Sequence, residues 1–333
     1  MILAFDTSCD DTSVALLKNK NYVNLISSQN DIHGKFGGIM PEYAARSHTE
    51  TIAYLTKEAL EKLNASMSDI EYIATTVGPG LLPSLLVGVS FAKALAYSYS
   101  LPIIPINHIE GHIFAPFFGK KLEFPFMALV VSGGHTHLFL IEGIGRYKII
   151  AKTLDDAVGE AFDKVARILD LGYPGGPIID KLSKTGESDR FNIPKGLGGK
   201  KNLNFSFSGT KTAVKNLVNN HSNLSTTDKI DIAASFQKSS IDVLWEKTKD
   251  ACRENGVNKI AVSGGVSANS YLREMFATEC KKEGFELFLP RREMTTDNAL
   301  MIANIAQFKK SRATYDYFSV EANPRLKIVN YNR

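Results

Sequence analysis

Three segments of the chain share one local design, an apolar strand closed by a turn of small residues. "MILAFDTSCDDTSVALL" runs strand, small polar turn, strand; "FMALVVSGGHTHLFLIEG" repeats it around Gly133 and Gly134; "KIAVSGGVSANSYLRE" has the strand and a second Gly-Gly turn, then passes into a helix. Unbroken apolar runs such as Leu129-Val130-Val131 mark strands buried on both faces, which need helices to cover them. The pattern demands an α/β fold, and in such folds ligands bind at the turns that follow the carboxyl ends of strands. Two hairpins of one design, far apart in the chain, predict a duplicated domain with a cleft between the copies.

Helices fill the intervals. "HTETIAYLTKEALEKL" carries Ile52, Leu55, Ala59 and Leu63 at helical spacing. "TTDKIDIAASFQKSSIDVLWEKTKDACRENG" opens with the capping residues Thr227 and Asp228 and closes at Gly256, and "TTDNALMIANIAQFKK" reads as a last long helix with Asp297 in its first turn. The apolar stretch from Pro83 to Ile106 is broken by Lys93 and two further prolines, so it reads as a buried helix followed by a strand and not as a membrane span. A length of 333 residues suits two domains, and 44% apolar with 22% charged residues suits a soluble globular protein. The expected boundary lies at the paired histidines, giving 1–106 and 107–296, with a helix over 297–323 packing back on the first domain.

Cys9, Cys252 and Cys280 are odd in number, widely spaced and form no CxxC. That excludes a disulfide framework or a cysteine zinc site and suits a reducing cytoplasm. The apolar run at Met1 is short, meets Asp6 and lacks a basic region before it, so it does not read as a signal peptide. A net charge of +4 permits a nucleic-acid partner without arguing for one.

The motif "NHIEGHIFAPFF" sets His108 and His112 four residues apart, about 40° around a helix axis, so both share one face while Glu110 lies roughly opposite. Two such imidazoles can chelate a divalent ion; the alternative is two satisfied histidines on a helix. A metallopeptidase of the HExxH type needs the glutamate directly after the first histidine, which "HIEGH" lacks. A third ligand is required, and the neighbouring sequence offers none. "VVSGGHT" brings Val130, Val131, Ser132, Gly133 and Gly134 to a turn whose backbone N–H groups can face an anion. Alone it is an ordinary hairpin, but a second "VSGG" leading to a helix start at Ser267 to Asn269 favours a nucleotide cleft. "GEAFDK" places Asp163 and Lys164 on a helix, and Asp180 follows the rigid "YPGGP" turn; Asp163 serves a ribose hydroxyl or a metal, or is a solvated charge. "FSFSGTKTAVKN" alternates Phe and Ser, so two rings point one way and two hydroxyls the other. With Lys195, Lys200, Lys201, Lys211 and Lys215 it forms either a basic, aromatic-flanked RNA contact or a buried strand beside a solvated loop. Cys9 sits beside Asp10 and Asp11, the wrong setting for a thiolate nucleophile.

Taken in order, "DTSCDDTSVAL", "NHIEGHI", "VVSGGHT", "GEAFDK", "YPGGP", "FSFSGTKTA", "VSGGVSAN" and "TTDNALMIA" resemble the bacterial threonylcarbamoyl-adenosine synthases, once labelled O-sialoglycoprotein endopeptidases, from Met1 to about Asn323. The resemblance implies two duplicated actin/Hsp70/sugar-kinase-like domains around a central nucleotide cleft, the second carrying most of the nucleotide and metal site. It implies transfer of a threonylcarbamoyl group from threonylcarbamoyl-AMP to N6 of the adenosine 3′-adjacent to the anticodon, in tRNAs reading codons that begin with A. It supplies the third metal ligand, Asp297, to join His108 and His112, with Fe(II) the expected ion and Zn(II) the other that suits the donors. The implied ligand contacts are Val130 to Gly134, Asp163, Gly176, Asp180 and Asn269. The implied partners are tRNA, a smaller metal-free paralogue, a P-loop ATPase and a separate adenylate-forming enzyme.

The chain departs from the family pattern at Asp11, where "CDDT" replaces "CDET", at Thr210 and at Ser267. Asp11 is the expected catalytic carboxylate, one methylene shorter than the family's. The competing readings are a small-molecule kinase of the same superfamily, which would act without tRNA, a metallopeptidase, and a non-catalytic binding module. Replacing Lys200 and Lys201 together by alanine is expected to weaken tRNA binding and flatten its salt dependence, measured as the slope of log affinity against log salt; an unchanged slope removes that loop from the contact surface.

Overall fold

The structure, a computed structural model, describes residues 1–29, 38–197, 202–221 and 223–328. The chain divides into two compact units, Met1–Lys121 with Thr296–Val329, and one made chiefly of Leu122–Thr295. This division falls later than the boundary expected at 106/107. His108 and His112 therefore belong to the first unit with Asp297, not to the second, because α3 (His108–Phe114) packs on the helix that follows Asp297.

In the first unit, five strands stand in the order β3-β2-β1-β4-β5: β1 (Ile2–Asp6), β2 (Thr12–Lys18), β3 (Asn21–Ser27), β4 (Tyr72–Gly78) and β5 (Ile103–Asn107). β1 pairs antiparallel with β2 and parallel with β4, which is itself parallel to β5. Every residue of β1 is buried, as the unbroken run "ILAFD" requires. The helix α1 (Pro41–Lys62) buries Ile52, Leu55 and Ala59 against the sheet. The apolar stretch after it becomes α2 (Leu82–Ser98) followed by β5, the expected helix and strand.

The second unit repeats this plan. Its sheet runs β10-β9-β6-β7-β8, with β6 (Phe126–Val131), β7 (Thr136–Gly143), β8 (Arg146–Lys152), β9 (Lys259–Ser263) and β10 (Glu286–Phe288). β6 is antiparallel to β7 and parallel to β9, just as β1 relates to β2 and β4. One sheet core is covered by α4 (Val158–Ile168), α5 (Gly175–Ser183), α6 (Ser208–Asn220), α7 (Thr226–Asn255) and α8 (Ser270–Glu283). The long α7 begins one residue before the expected cap: Ser225 and Asp228 form a capping box, and Gly256 at φ 63° ends the helix.

The last helix is shorter than expected. α9 covers only Ala299–Phe308, and a short 3₁₀ turn at Lys310–Arg312 follows it. Asp297 precedes the helix instead of lying in its first turn, because Asn298 is the N-cap and accepts a hydrogen bond from Met301 N. Among the described residues no helix is long and apolar enough to cross a membrane.

The parallel alignment of β6 and β9 brings their two turns together so closely that only glycine fits at Gly264. Its φ is +90°, and a Cβ there would lie 2.3 Å from the Val131 carbonyl oxygen. Gly264→Ala is expected to lower stability by more than about 1 kcal/mol, whereas Gly209→Ala, in a helix with open space around the added methyl, should raise it by about 0.4–1 kcal/mol. Denaturant titration distinguishes the two.

Candidate metal centre and nucleotide-binding turns

β5 ends at Asn107, whose side-chain oxygen accepts from Ile109 N at 2.9 Å and Glu110 N at 3.4 Å and so starts α3. One helical turn then places His108 and His112 side by side, their rings 4.7 Å apart and nearly perpendicular. The first turn of α9 is tied to the first sheet by Ala299 N donating to Ser13 Oγ at 2.8 Å and Leu300 N to Asn24 Oδ1 at 3.2 Å. That anchorage sets Asp297 Oδ1 3.1 Å from His112 Nε2 and 3.4 Å from His108 Nε2. The three donor atoms lie within 4.8 Å of one another. Two donors bound at about 2.1 Å to one ion are separated by roughly 3 Å, so this spacing fits a divalent cation.

The rest of the surroundings also suit a ligand role. His108 Nδ1 lies 3.0 Å from Ser8 Oγ and 3.3 Å from Asp6 Oδ2, while Asp6 Oδ1 accepts from Ser8 N at 3.1 Å. A carboxylate behind the ring orients it and raises its basicity, leaving Nε2 for the ion. Burial alone would lower the His108 pKa, but Asp297 and Asp6 outweigh it and push it up to about 10. Asp297 is driven the other way: burial opposes its ionisation, yet the two imidazoles hold its carboxyl well below the usual range. Asp297 is 27% exposed while both histidines are buried, so the donor set opens on the carboxylate side.

Asp11 lies in the same unit, in the β1–β2 turn. Burial, then Asp10, raise its carboxyl to about 6, and its Oδ1 is buried without a hydrogen-bond partner. Burial, Asp297 and Asp10 push the Cys9 thiol well above its ordinary value, in keeping with its rejection as a nucleophile.

In the second unit the residues expected to bind ligand come together around the two Gly-Gly turns. Gly133 and Gly134 are exposed with open space where side chains would stand, and Ser132 closes the turn by accepting His135 N at 3.1 Å. Gly159, at the start of α4, donates to Ser132 O at 3.2 Å. Asp163 accepts Gly175 N at 2.8 Å, at the start of α5; burial raises its pKa and the Gly175 and Gly176 N–H groups oppose that. Asp180 accepts Ser270 N and Oγ at the start of α8, where Asn269 Oδ1 also accepts Leu272 N. The helix start expected to receive phosphate is thus already met by two protein side chains. Open space beside the main chain lies instead at Gly133 and Gly134, and also at Gly176, whose N–H already faces Asp163.

The basic region is narrower than expected. Lys195 is paired with Glu246 at 2.6 Å and Asp242 at 3.4 Å, and Lys211 with Asp156 at 2.6 Å. Lys215 is exposed, and Lys200 and Lys201 lie outside the described residues. The alternation of "FSFS" holds: Phe205 and Phe207 are buried and stack at 12°, while Ser206 Oγ bonds Asp155. Asp6 and Ser8 were not singled out from sequence, although their place at the carboxyl end of a buried strand was a signal for them.

Two sheets of one topology define the actin, Hsp70 and sugar-kinase class of α/β protein. HypF from T. kodakarensis superposes with a TM-score of 0.61 at 13% identity, over 95% of this chain and 48% of that one. The activator of 2-hydroxyisocaproyl-CoA dehydratase from Clostridium difficile, solved with bound ADPNP, gives 0.52 at 15%, over 93% and 96%. Residues 21–304 match the family model of TsaD, tRNA N6-adenosine threonylcarbamoyltransferase. A Clostridium botulinum protein of that name is 47% identical over 331 residues, spanning 98% of this chain and 97% of its own. The chain belongs to the tRNA N6-adenosine threonylcarbamoyltransferase family.

The Asp11 carboxyl makes stability depend on pH. Its pKa is raised in the native state, so protonation stabilises the fold as pH falls from above 6 toward the ordinary value near 3.8, and at pH 7.5 the buried charge is a burden of roughly 3 kcal/mol. Asp11→Asn should therefore raise the melting temperature at pH 7.5, with the gain shrinking toward pH 5. Equal melting curves at both pH values would show that the carboxylate is solvated.

Proposed function

We propose that this chain transfers the threonylcarbamoyl group of threonylcarbamoyl-AMP to N6 of the adenosine 3′-adjacent to the anticodon, in tRNAs reading codons that begin with A. N6-threonylcarbamoyladenosine forms and AMP leaves. The observation that carries this reading is a family match over almost the whole chain, in a protein whose His108, His112 and Asp297 converge.

The donor is a mixed anhydride and is already activated, so no serine or cysteine nucleophile is needed. The acceptor is weak, because the N6 lone pair is delocalised into the adenine ring. The protein's task is to hold both groups, to take a proton from the amine and to stabilise the departing phosphate. Gly133 and Gly134, with space beside their backbone, suit the nucleotide's anion, and the open space at Gly176 leaves room for the nucleotide beside it. Asp163, Asp180 and Asn269 border those turns and are assigned to orienting the nucleotide. Asp11, with its carboxyl raised to about 6, is assigned to the amine, since a base titrating near neutrality is effective at proton transfer. When bound at His108, His112 and Asp297, a divalent ion supplies Lewis-acid polarisation of an oxygen ligand; Fe(II) suits two imidazoles with one carboxylate, and Zn(II) accepts the same donors. The reading includes the smaller metal-free paralogue, the P-loop ATPase and the upstream adenylate-forming enzyme as partners, in the cytoplasm. The face of α2 bearing Leu82, Leu86 and Tyr97, exposed by 43%, 48% and 74%, offers apolar surface to a protein partner.

The test combines threonine, bicarbonate, ATP, the adenylate-forming enzyme and unmodified tRNA, with and without the partner proteins, and reads the nucleoside by mass spectrometry. His112→Ala and Asp297→Ala are each expected to lose metal and tRNA modification together while the circular dichroism spectrum is kept. Full activity in either variant refutes the metal role.

A further inference from the structure

Glu110 stands between the two histidines in sequence but turns away from them in space. At 100° per residue it lies about 200° around α3 from His108, on the helix's far side. There it is fully buried, and its Oε2 accepts from Lys309 Nζ at 2.6 Å, with the lysine side chain only 3% exposed. Lys309 is the C-cap of α9, the helix that begins two residues after Asp297.

This ion pair joins the helix that carries two ligands to the helix that positions the third. Between its two ends the helices touch with almost no space. A Cβ on Gly111 would meet Ile302 Cδ1 at 2.9 Å and Met301 Cγ at 3.0 Å, and Asn304 Nδ2 donates to Phe114 O at 3.0 Å. The Asn304 bond is directional but sits at the far end of α3, at Phe114, whereas the apolar contact at Gly111 sets how closely the helices lie and is itself non-directional. A buried charge pair is directional: turning α3 about its axis would carry the carboxylate off the ammonium. Desolvation makes such pairs poor sources of stability compared with apolar side chains of the same volume, and their best-attested use is to set register.

We propose that Glu110 and Lys309 are positioning residues for the metal centre. The pair sets the rotation of α3 against α9 so that both Nε2 atoms stay aimed at Asp297, and the donor set is in place before the ion arrives. This rests on the metal reading of His108, His112 and Asp297. It concerns how those side chains are held, and it assigns no contact with substrate to either residue.

The test is Co(II) titration of the metal-stripped full-length protein, followed by the visible ligand-field band, with melting curves taken in parallel. Glu110→Met combined with Lys309→Met replaces the pair by apolar side chains and should keep a cooperative melt. Its Co(II) affinity is expected to fall by about 10-fold or more, the scale seen when groups that orient metal ligands are removed, with a shifted band. Glu110→Asp keeps the charge but draws it back by one methylene, and should weaken Co(II) binding less while preserving the fold. Parental affinity and band shape in a folded double variant overturn the proposal. Should the double variant not fold, Glu110→Asp decides: parental affinity and spectrum in that variant overturn it, and a reduced affinity with a changed band at an unaltered melting temperature supports it. Absence of Co(II) binding by the parent protein, or undiminished binding by His112→Ala, defeats the metal reading itself and the proposal with it.

Discussion

A carboxylate and two imidazoles gathered within 4.8 Å, both rings out of water, lose solvation that has to be returned by opposite charge. In the protein alone that return comes from within the cluster: His108 is pushed toward its cationic form and Asp297 toward its anionic form. A divalent ion would take the proton's place between the same atoms, since 3.1 and 3.4 Å suit both an ion pair and two donors sharing one cation. Much of the first unit serves to hold this arrangement. Asn107 begins α3 at the end of β5, Asn298 begins α9, Ser13 and Asn24 anchor the segment carrying Asp297, and Asp6 with Ser8 holds the far side of the His108 ring.

The second unit uses its carboxylates differently. Asp163 and Asp180 each accept backbone N–H groups at the start of a helix, so two helix N-termini that could have faced a ligand are closed by the protein's own side chains. Among the described glycines of these turns, Gly133 and Gly134 in the β6–β7 turn keep exposed backbone for an anion. The arrangement separates rigidity from recognition. The acidic side chains lock α4 to α5 and α5 to α8, and the glycines, having no side chains to displace, let a nucleotide approach the main chain.

Repetition was legible because burial on both faces of a strand leaves an unbroken apolar run, and the two hairpins around β1–β2 and β6–β7 carry it plainly. The pairing of His108 with His112 was legible for a similar reason, since helical spacing is a property of the chain alone. Asp297 could be joined to them only through resemblance to a family, because no local rule connects residues 185 positions apart. Lys195 and Lys211 show the opposite failure: they read as free positive charge, yet the carboxylates that neutralise them come from α7 and from the turn before α4.

Composition and periodicity by themselves determined an α/β chain with duplicated hairpins, two histidines on one helical face and glycine turns after buried strands. These follow from steric and hydrophobic rules that act over a few residues. Tertiary structure alone decided that α3 belongs with the first sheet, that Asp6 stands behind His108, and that Glu110 meets Lys309 in the interior. Each of those joins groups from distant parts of the chain, and their energies depend on burial and on the direction of approach, quantities that exist only once the helices and sheets have packed.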